Sequence, residues 1–358
     1  MKKITIVYGT RPEFIKLYPL IKALKKNKHF KLQVISTGQH TDLLEQVHLE
    51  ESFSPDANLD IQRRFGDLNE LQGLIFRKLY DFSRLDEKPD LILVHGDTAT
   101  AFSTALFAFQ FQIPIAHIES GLRSKNLMSP FPEEFYRQSI SKMASLNFAP
   151  TQSERDNLLS EGVDERRIFV VGNTIADSLF SRKKTDFKKK NNILISVHRR
   201  ENREKLKDLL DRVHNLSFSL GEAKFEYLIH PSVEGLIDTK KYPRIKFLYS
   251  MNHSSFLDRI QSCRFIITDS GGVQEEVSLL GIKALIYRNH TERLNGLDSG
   301  VELIGTDLNK LSARITELVN NPSELKNKNR LYVNSVSEKI IKVIQNFVAL
   351  REEAVCLS

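Results

Sequence analysis

Apolar residues along this chain fall into two alternating patterns. Short runs rich in Val, Ile and Leu are separated by longer stretches with apolar positions every three to four residues. Residues 4–8 read as a buried strand and 12–26 as a helix. Gly9-Thr10-Arg11-Pro12 opens that helix, where a proline costs nothing because a first-turn amide has no partner to lose. A strand over 32–36 and a helix over 43–48 follow. Residues 91–94 run into His95-Gly96-Asp97-Thr98 and the apolar helix 99–109, and 113–118 ends in Glu119-Ser120-Gly121. Strands at 146–149 and 168–171 complete the first series, the latter ending in Gly172-Asn173.

After a basic stretch the pattern starts again. Residues 193–197 lead into His198-Arg199-Arg200-Glu201-Asn202 and a helix through Leu220. Strands at 225–229, 245–248, 265–267 and 284–287 follow, and 307–350 reads as helices. The alternation predicts an α/β fold of two doubly wound, Rossmann-like domains, 1–180 and 191–335, hinged near 183–190. A last helix over 336–358 is expected to pack back on the first domain. Ligands of open α/β sheets bind beyond the carboxyl ends of the strands. Arg11, Asp97, Glu119, His198 and Ser270 all fall there, and are expected to line one cleft between the domains.

Composition narrows the class. A chain of 358 residues, 41% hydrophobic and 27% charged, can bury a large core and is ordinary for a globular protein. No apolar run reaches the roughly 20 residues of a membrane span, and no signal peptide is visible. A cytoplasmic protein without a membrane partner is therefore expected. Two cysteines, Cys263 and Cys356, argue against a disulfide framework or a thiolate metal site. A formal charge of +7 suits nucleic acid or an anionic small molecule. The densest basic cluster, 182–190, has only Phe187 among its aromatics and reads as a solvated linker, so no nucleic-acid partner is expected.

Polar clusters at the strand ends carry the candidate chemistry. The run Arg264-Phe265-Ile266-Ile267 enters Thr268-Asp269-Ser270-Gly271-Gly272-Val273-Gln274-Glu275-Glu276. A strand, a small-residue turn and a helix start offer amides and a dipole to an anion, and the glycines let a phosphate come close. Glu276, about one turn on, is placed to accept from sugar or ribose hydroxyls; the same turn also suits a plain N-cap at Ser270. Gly9-Thr10-Arg11-Pro12-Glu13 with Lys16 suits a diphosphate gripped by arginine, or simply a charged first helix. His95, Asp97, His117 and Glu119 are residue types that ligate metals, but strand-end histidines commonly bond a backbone group, and no metal is expected. In Pro130-Phe131-Pro132-Glu133-Glu134-Phe135-Tyr136-Arg137, Glu133 is a rigid carboxylate at a helix start, with Arg137 one turn later. Acidic residues there also complement the helix dipole. The five polar residues 198–202 are more than a surface loop needs.

In order and spacing, these motifs, together with 117–123, 129–134, Gly172-Asn173-Thr174 and Thr291-Glu292-Arg293, resemble the UDP-N-acetylglucosamine 2-epimerase family. The match is nearest its non-hydrolysing bacterial branch. The resemblance implies a GT-B type fold with the sugar nucleotide in the cleft. It implies inversion at carbon 2 by elimination of UDP to a 2-acetamidoglucal and re-addition, giving UDP-N-acetylmannosamine for surface polysaccharide. No cofactor is implied, and a homodimer is. A hydrolysing relative would instead release N-acetylmannosamine and UDP. Carried over by motif, Asp97, Glu119 and Glu133 are the acid/base carboxylates and His198 supports the sugar. Arg11, Lys16 and Arg137 hold diphosphate or nearby sugar groups, and Ser270, Gly271 and Gly272 cradle phosphate. Glu276 binds ribose, Arg293 assists, and Phe256 stacks on uracil. Family activator positions fall on Gln39, His40, Glu134, Arg199 and His230. Thr41 and Asp42 replace that site's Arg and Gln/Glu, and its next arginine falls on or near Phe65, which predicts a degraded site unless a shift of register brings in Arg63 or Arg64. Leu294-Asn295 and His230-Pro231-Ser232 also depart from the family wording.

Overall fold

The computed structural model describes residues 1–358 except 40, 62–66, 182–190, 250, 292–299, 326–334 and 357–358, and omits the side chains of 41–43, 181 and 352–356. His40, Arg293, Phe65 and the expected hinge at 183–190 thus lie outside the described residues. The chain divides into two compact units.

Unit 1 contains strands β1 (Lys2–Tyr8), β2 (Phe30–Ser36), β3 (Ala57–Asn58), β4 (Leu91–His95), β5 (Ile115–Ile118), β6 (Leu146–Ala149) and β7 (Ile168–Val170). Its helices are α1 (Arg11–Lys26), α2 (Thr41–Glu50), α3 (Leu68–Ser83), α4 (Ala99–Gln110), α5 (Glu133–Met143), α6 (Gln152–Ser160) and α7 (Ile175–Ser181), joined by α12 (Val336–Cys356) from the end of the chain. All strand pairs are parallel, in the order β3-β2-β1-β4-β5-β6-β7. Strand order therefore reverses between β1 and β4. Right-handed crossovers running both ways from that point put helices on opposite faces. Accordingly α1 touches α2, α7 and α12, while α4 packs between α3 and α5. A core of Val7, Ile75, Ile92, Val94, Ala105, Phe107 and Ile140 fills the α3–α4–α5 side.

Unit 2 contains β8 (Asn192–Ser196), β9 (Lys224–Leu228), β10 (Ile245–Leu248), β11 (Phe265–Thr268), β12 (Ala284–Ile286) and β13 (Val301–Leu303). The intervening helices are α8 (Leu206–Ser219), α9 (His253–Ser262), α10 (Gly271–Leu280) and α11 (Leu308–Asn320). This sheet is parallel too, ordered β10-β9-β8-β11-β12-β13, and reverses between β8 and β11. No helix among the described residues is long and apolar enough to cross a membrane.

The hydrophobic pattern located most strands, and the differences have local causes. β5 starts two residues later than expected because Pro114 has no N–H for the ladder. β3 and β13, of two and three residues, are too short to show a period. α3 buries only the stripe Leu71, Ile75 and Leu79, and was not anticipated.

Candidate active site

A reversal of strand order splays the loops that follow the two strands, which opens a crevice at their carboxyl ends. In unit 1 those loops carry Gly9-Thr10-Arg11 and Gly96-Asp97-Thr98. The first loop is tightly seated: a Cβ on Gly9 would lie 2.1 Å from Thr100 Oγ1 and 2.5 Å from Thr37 Oγ1. Glu13 braces both loops. Its carboxylate accepts from Gly9 N (3.0 Å), Thr10 N (2.8 Å), Thr10 Oγ1 (2.8 Å) and, across the reversal, Thr98 Oγ1 (2.8 Å). Thr10 and Thr98 are the N-caps of α1 and α4, so one side chain ties two helix starts together.

The expected carboxylates sit in this neighbourhood, and Glu119 and Asp97 each have a cation beside them. Glu119 follows β5 and pairs with the buried Lys16 Nζ, and His95 Nε2 lies 3.6 Å from the same oxygen. Its backbone is left-handed at φ 62, a conformation disfavoured for a residue with a Cβ by about 1–2 kcal/mol. Asp97 pairs with Arg137 of α5, whose Nη1 is 3.5 Å from Glu134. Glu133, half-buried, opens α5 one turn before Arg137. Arg11, partly exposed at the start of α1, makes no ion pair among the described residues. Glu134 is fully buried and accepts from Ser124 N and Gln138 Nε2, both at 2.9 Å. Gln39 Oε1 accepts from Thr100 Oγ1 (3.0 Å). His117, considered above as a ligand type, bonds the Gly96 carbonyl (2.8 Å) instead, and burial holds its imidazole down at about 3.

In unit 2 the loops at the reversal carry His198-Arg199 and Asp269-Ser270. Asp269, fully buried, organises the first of these: it accepts from His198 N (3.0 Å), Arg199 N (2.8 Å) and Asn202 Nδ2 (2.9 Å). The His198 ring stacks on His230 at 4.4 Å and 13°, with Nδ1 3.9 Å from Asp269; burial lowers its pKa. His230 is itself held by Ser232 Oγ (2.9 Å). Arg199 lies 3.8 Å from Glu201. Ser270 caps α10, its hydroxyl accepting from Val273 N, and Gly271 and Gly272 form the first turn, where a Cβ on Gly272 would stand 3.9 Å from Ser270 Oγ. Glu276 takes a hydrogen bond from His253 Nε2 (2.7 Å). Phe256, partly buried, packs on the Ile260–Val273–Val277 cluster.

Three residues without an assigned role emerge: Glu13, Asp269 and His253. Glu13 had a readable signal, the Thr-x-x-Glu capping spacing. Asp269 and His253 have none, because their partners lie 71 and 23 residues away.

The buried Glu13 has a pH signature. Burial raises it from 4.5 to about 7, outweighing the hydrogen bonds that favour its charged form. A raised folded-state pKa stabilises the fold fully below pH 4.5, and that contribution is lost as pH rises through about 7. His117 works in the opposite sense, costing stability as pH falls from 6.5 toward 3. Glu13→Gln removes only the first effect. Relative to the parent, the variant is expected to gain a few kcal/mol, on the scale of about 1.4 kcal/mol per pKa unit, between pH 4.5 and 8. Urea unfolding of both proteins across that range tests this, and a pH-independent difference overturns it.

Two parallel-sheet units, each with polar loops at its strand-order reversal, define an α/β protein with a fold of the GT-B type. A family model described as UDP-N-acetylglucosamine 2-epimerase matches residues 22–345. A Yersinia pestis UDP-N-acetylglucosamine 2-epimerase is 38% identical over 352 residues, 88% of this chain and 90% of the relative. Among solved structures, the Neisseria meningitidis UDP-GlcNAc 2-epimerase bound to UDP-GlcNAc superposes with a TM-score of 0.87 at 32% identity, covering 97% of this chain and 100% of that one. The S. aureus MnaA–UDP co-structure gives 0.86 at 33% identity, covering 98% of each chain. The chain belongs to the UDP-N-acetylglucosamine 2-epimerase family of isomerases.

Proposed function

We propose that this chain interconverts UDP-N-acetylglucosamine and UDP-N-acetylmannosamine without hydrolysis, in the cytoplasm, to supply surface polysaccharide synthesis. What supports the reading is the pair of carboxylates Asp97 and Glu119, on neighbouring strand ends and each paired with a cation. The hydrogen on carbon 2 lies alpha to no carbonyl, so its removal is coupled to loss of UDP. A carboxylate takes the proton, the C2–H electrons form the C1=C2 bond, and the C1–O pair leaves with the diphosphate. In return, the diphosphate oxygen adds to C1 and a second carboxylate delivers a proton to the other face of C2. Asp97, Glu119 and Glu133 are the groups for these transfers, with His198 against the sugar. Arg11, Lys16 and Arg137 meet the charge that develops on the diphosphate, which lowers the barrier most where water is excluded. The Ser270-Gly271-Gly272 turn takes phosphate, Glu276 the ribose, Phe256 the uracil, and Arg293 assists.

A proton NMR time course with UDP-N-acetylglucosamine in deuterated water decides the matter. UDP-N-acetylmannosamine labelled at carbon 2 supports the proposal. Free N-acetylmannosamine identifies the hydrolysing reaction, and no change overturns both.

The working form we propose is a homodimer joined through the α3–α4 face. Leu74, Tyr80, Phe109 and Phe111 are exposed there, with Tyr80 and Phe111 rings 6.2 Å apart. Sedimentation is expected to give a two-chain mass that Phe109→Glu reduces; a one-chain mass for the parent overturns it.

The altered activator stretch supports a further reading, that turnover needs no second UDP-N-acetylglucosamine or needs it only weakly. Thr41 and Asp42 offer no guanidinium fork, and each charge-assisted bond so lost is worth about 1.5–3 kcal/mol. Turnover from UDP-N-acetylmannosamine alone is expected to be linear from the start. A lag abolished by trace UDP-N-acetylglucosamine contradicts this.

A further inference from the structure

The His253–Glu276 contact belongs to neither the phosphate turn nor the sugar-handling carboxylates. Asn252 caps α9 through its Oδ1, which accepts from Ser255 N (2.7 Å), and this sets His253 as the first residue of the helix. Glu276 lies on α10, beyond the Ser270 turn. In a parallel sheet the helices that follow β10 and β11 both start at the carboxyl edge, which is the ligand-binding side of the sheet. Ile260 of α9 and Val273 and Val277 of α10 share one hydrophobic cluster, and that packing fixes the spacing of the helices. The result is an Nε2–Oε1 distance of 2.7 Å, with the His253 and Glu276 side chains 19% and 9% exposed.

We propose that His253 is a positioning residue for nucleotide binding: its imidazole holds one oxygen of Glu276 so that the other is presented to the ribose diol. The proposal rests on the reading that Glu276 binds ribose. A carboxylate only accepts, so the proton of this bond is on Nε2 and Oε1 is occupied. Among the described residues no other hydrogen bond reaches the Glu276 carboxylate, which leaves Oε2 for a hydroxyl. An unheld glutamate would have to give up several rotamers when the nucleotide arrives. Ordering it beforehand moves that cost out of the binding step, an effect that is realised as affinity.

The test is calorimetry with UDP and 2′,3′-dideoxy-UDP on the full chain. His253→Ala is expected to weaken UDP roughly tenfold, the scale of one side chain ordered on binding, and to leave the dideoxy nucleotide unchanged. Combined with Glu276→Ala it is expected to add no further loss. His253→Gln, which keeps a nitrogen donor at similar reach, is expected to restore most of the affinity and also controls for misfolding. If Glu276→Ala weakens UDP while His253→Ala does not, the positioning role is wrong and the ribose reading stands. If Glu276→Ala binds UDP like the parent, the ribose reading itself is wrong. Equal losses for both nucleotides in His253→Ala overturn the role as well, since they place the effect away from the diol.

Discussion

Asp97→Asn, Glu119→Gln and Glu133→Gln are each expected to lower turnover at least about a hundredfold, the usual scale for a lost general acid or base. Each replacement keeps shape and removes the ability to exchange a proton. The electrostatics differ between the three. Glu119→Gln strips the counter-charge from Lys16, which is only 9% exposed, so this variant also carries a fold cost; removing one partner of a buried pair costs about 3–5 kcal/mol. Asp97→Asn is gentler, since Arg137 retains Glu134 at 3.5 Å. Glu133 is half-buried at a helix start, where loss of charge costs a few tenths to about 1 kcal/mol of dipole interaction. The fall in turnover should therefore be similar across the set while stability falls most in Glu119→Gln. Steady-state rates with unfolding curves on the same preparations separate the two effects. Near-normal turnover in all three variants would remove the carboxylates from the mechanism.

Gly121→Ala is expected to cost about 3 kcal/mol or more in stability, and turnover with it. Two effects add. Gly121 has φ +93, outside the range that an L side chain adopts comfortably, and its Cβ would stand 2.3 Å from the carbonyl oxygen of Glu154. That carbonyl cannot retreat easily, because Glu154 is locked in the capping box of α6 with Thr151. The alternative is for residues 119–121 to move, which displaces Glu119 from Lys16. Gly162→Ala is the control: φ is +76 but nothing lies within 4 Å of its Cβ, so only backbone strain remains, about 1–2 kcal/mol. Urea unfolding midpoints for the two variants compare the terms directly. A Gly121→Ala protein no less stable than Gly162→Ala would show that the loop yields without cost.

Hydrophobic periodicity and turn chemistry determined much of this protein unaided. The buried strands are runs of β-branched and aliphatic residues, the helices carry their stripes, and polar clusters mark the strand ends at 9–13, 95–98, 119–121, 198–202 and 268–276. Such signals are local: a side chain's preference and its neighbours three or four positions away suffice to read them. For the same reason the Thr10–Glu13 capping box is legible in the sequence.

Partner choice was decided only by the tertiary structure. Lys16 meets Glu119 across 103 residues, and Arg137 meets Asp97 across 40. Those pairs follow from strand order, which sets β1 beside β4 and β4 beside β5 although three helices and two strands separate β1 from β4 in the chain. Glu134, adjacent to Glu133, is turned by the helical rotation of about 100° per residue into full burial, where it bonds Ser124 and Gln138. Burial likewise raises Glu13 and lowers His117, because desolvation depends on everything packed around a group and not on its sequence neighbours. His253 reaches Glu276 only because α9 and α10 share a hydrophobic cluster, a distance that no spacing in the chain encodes.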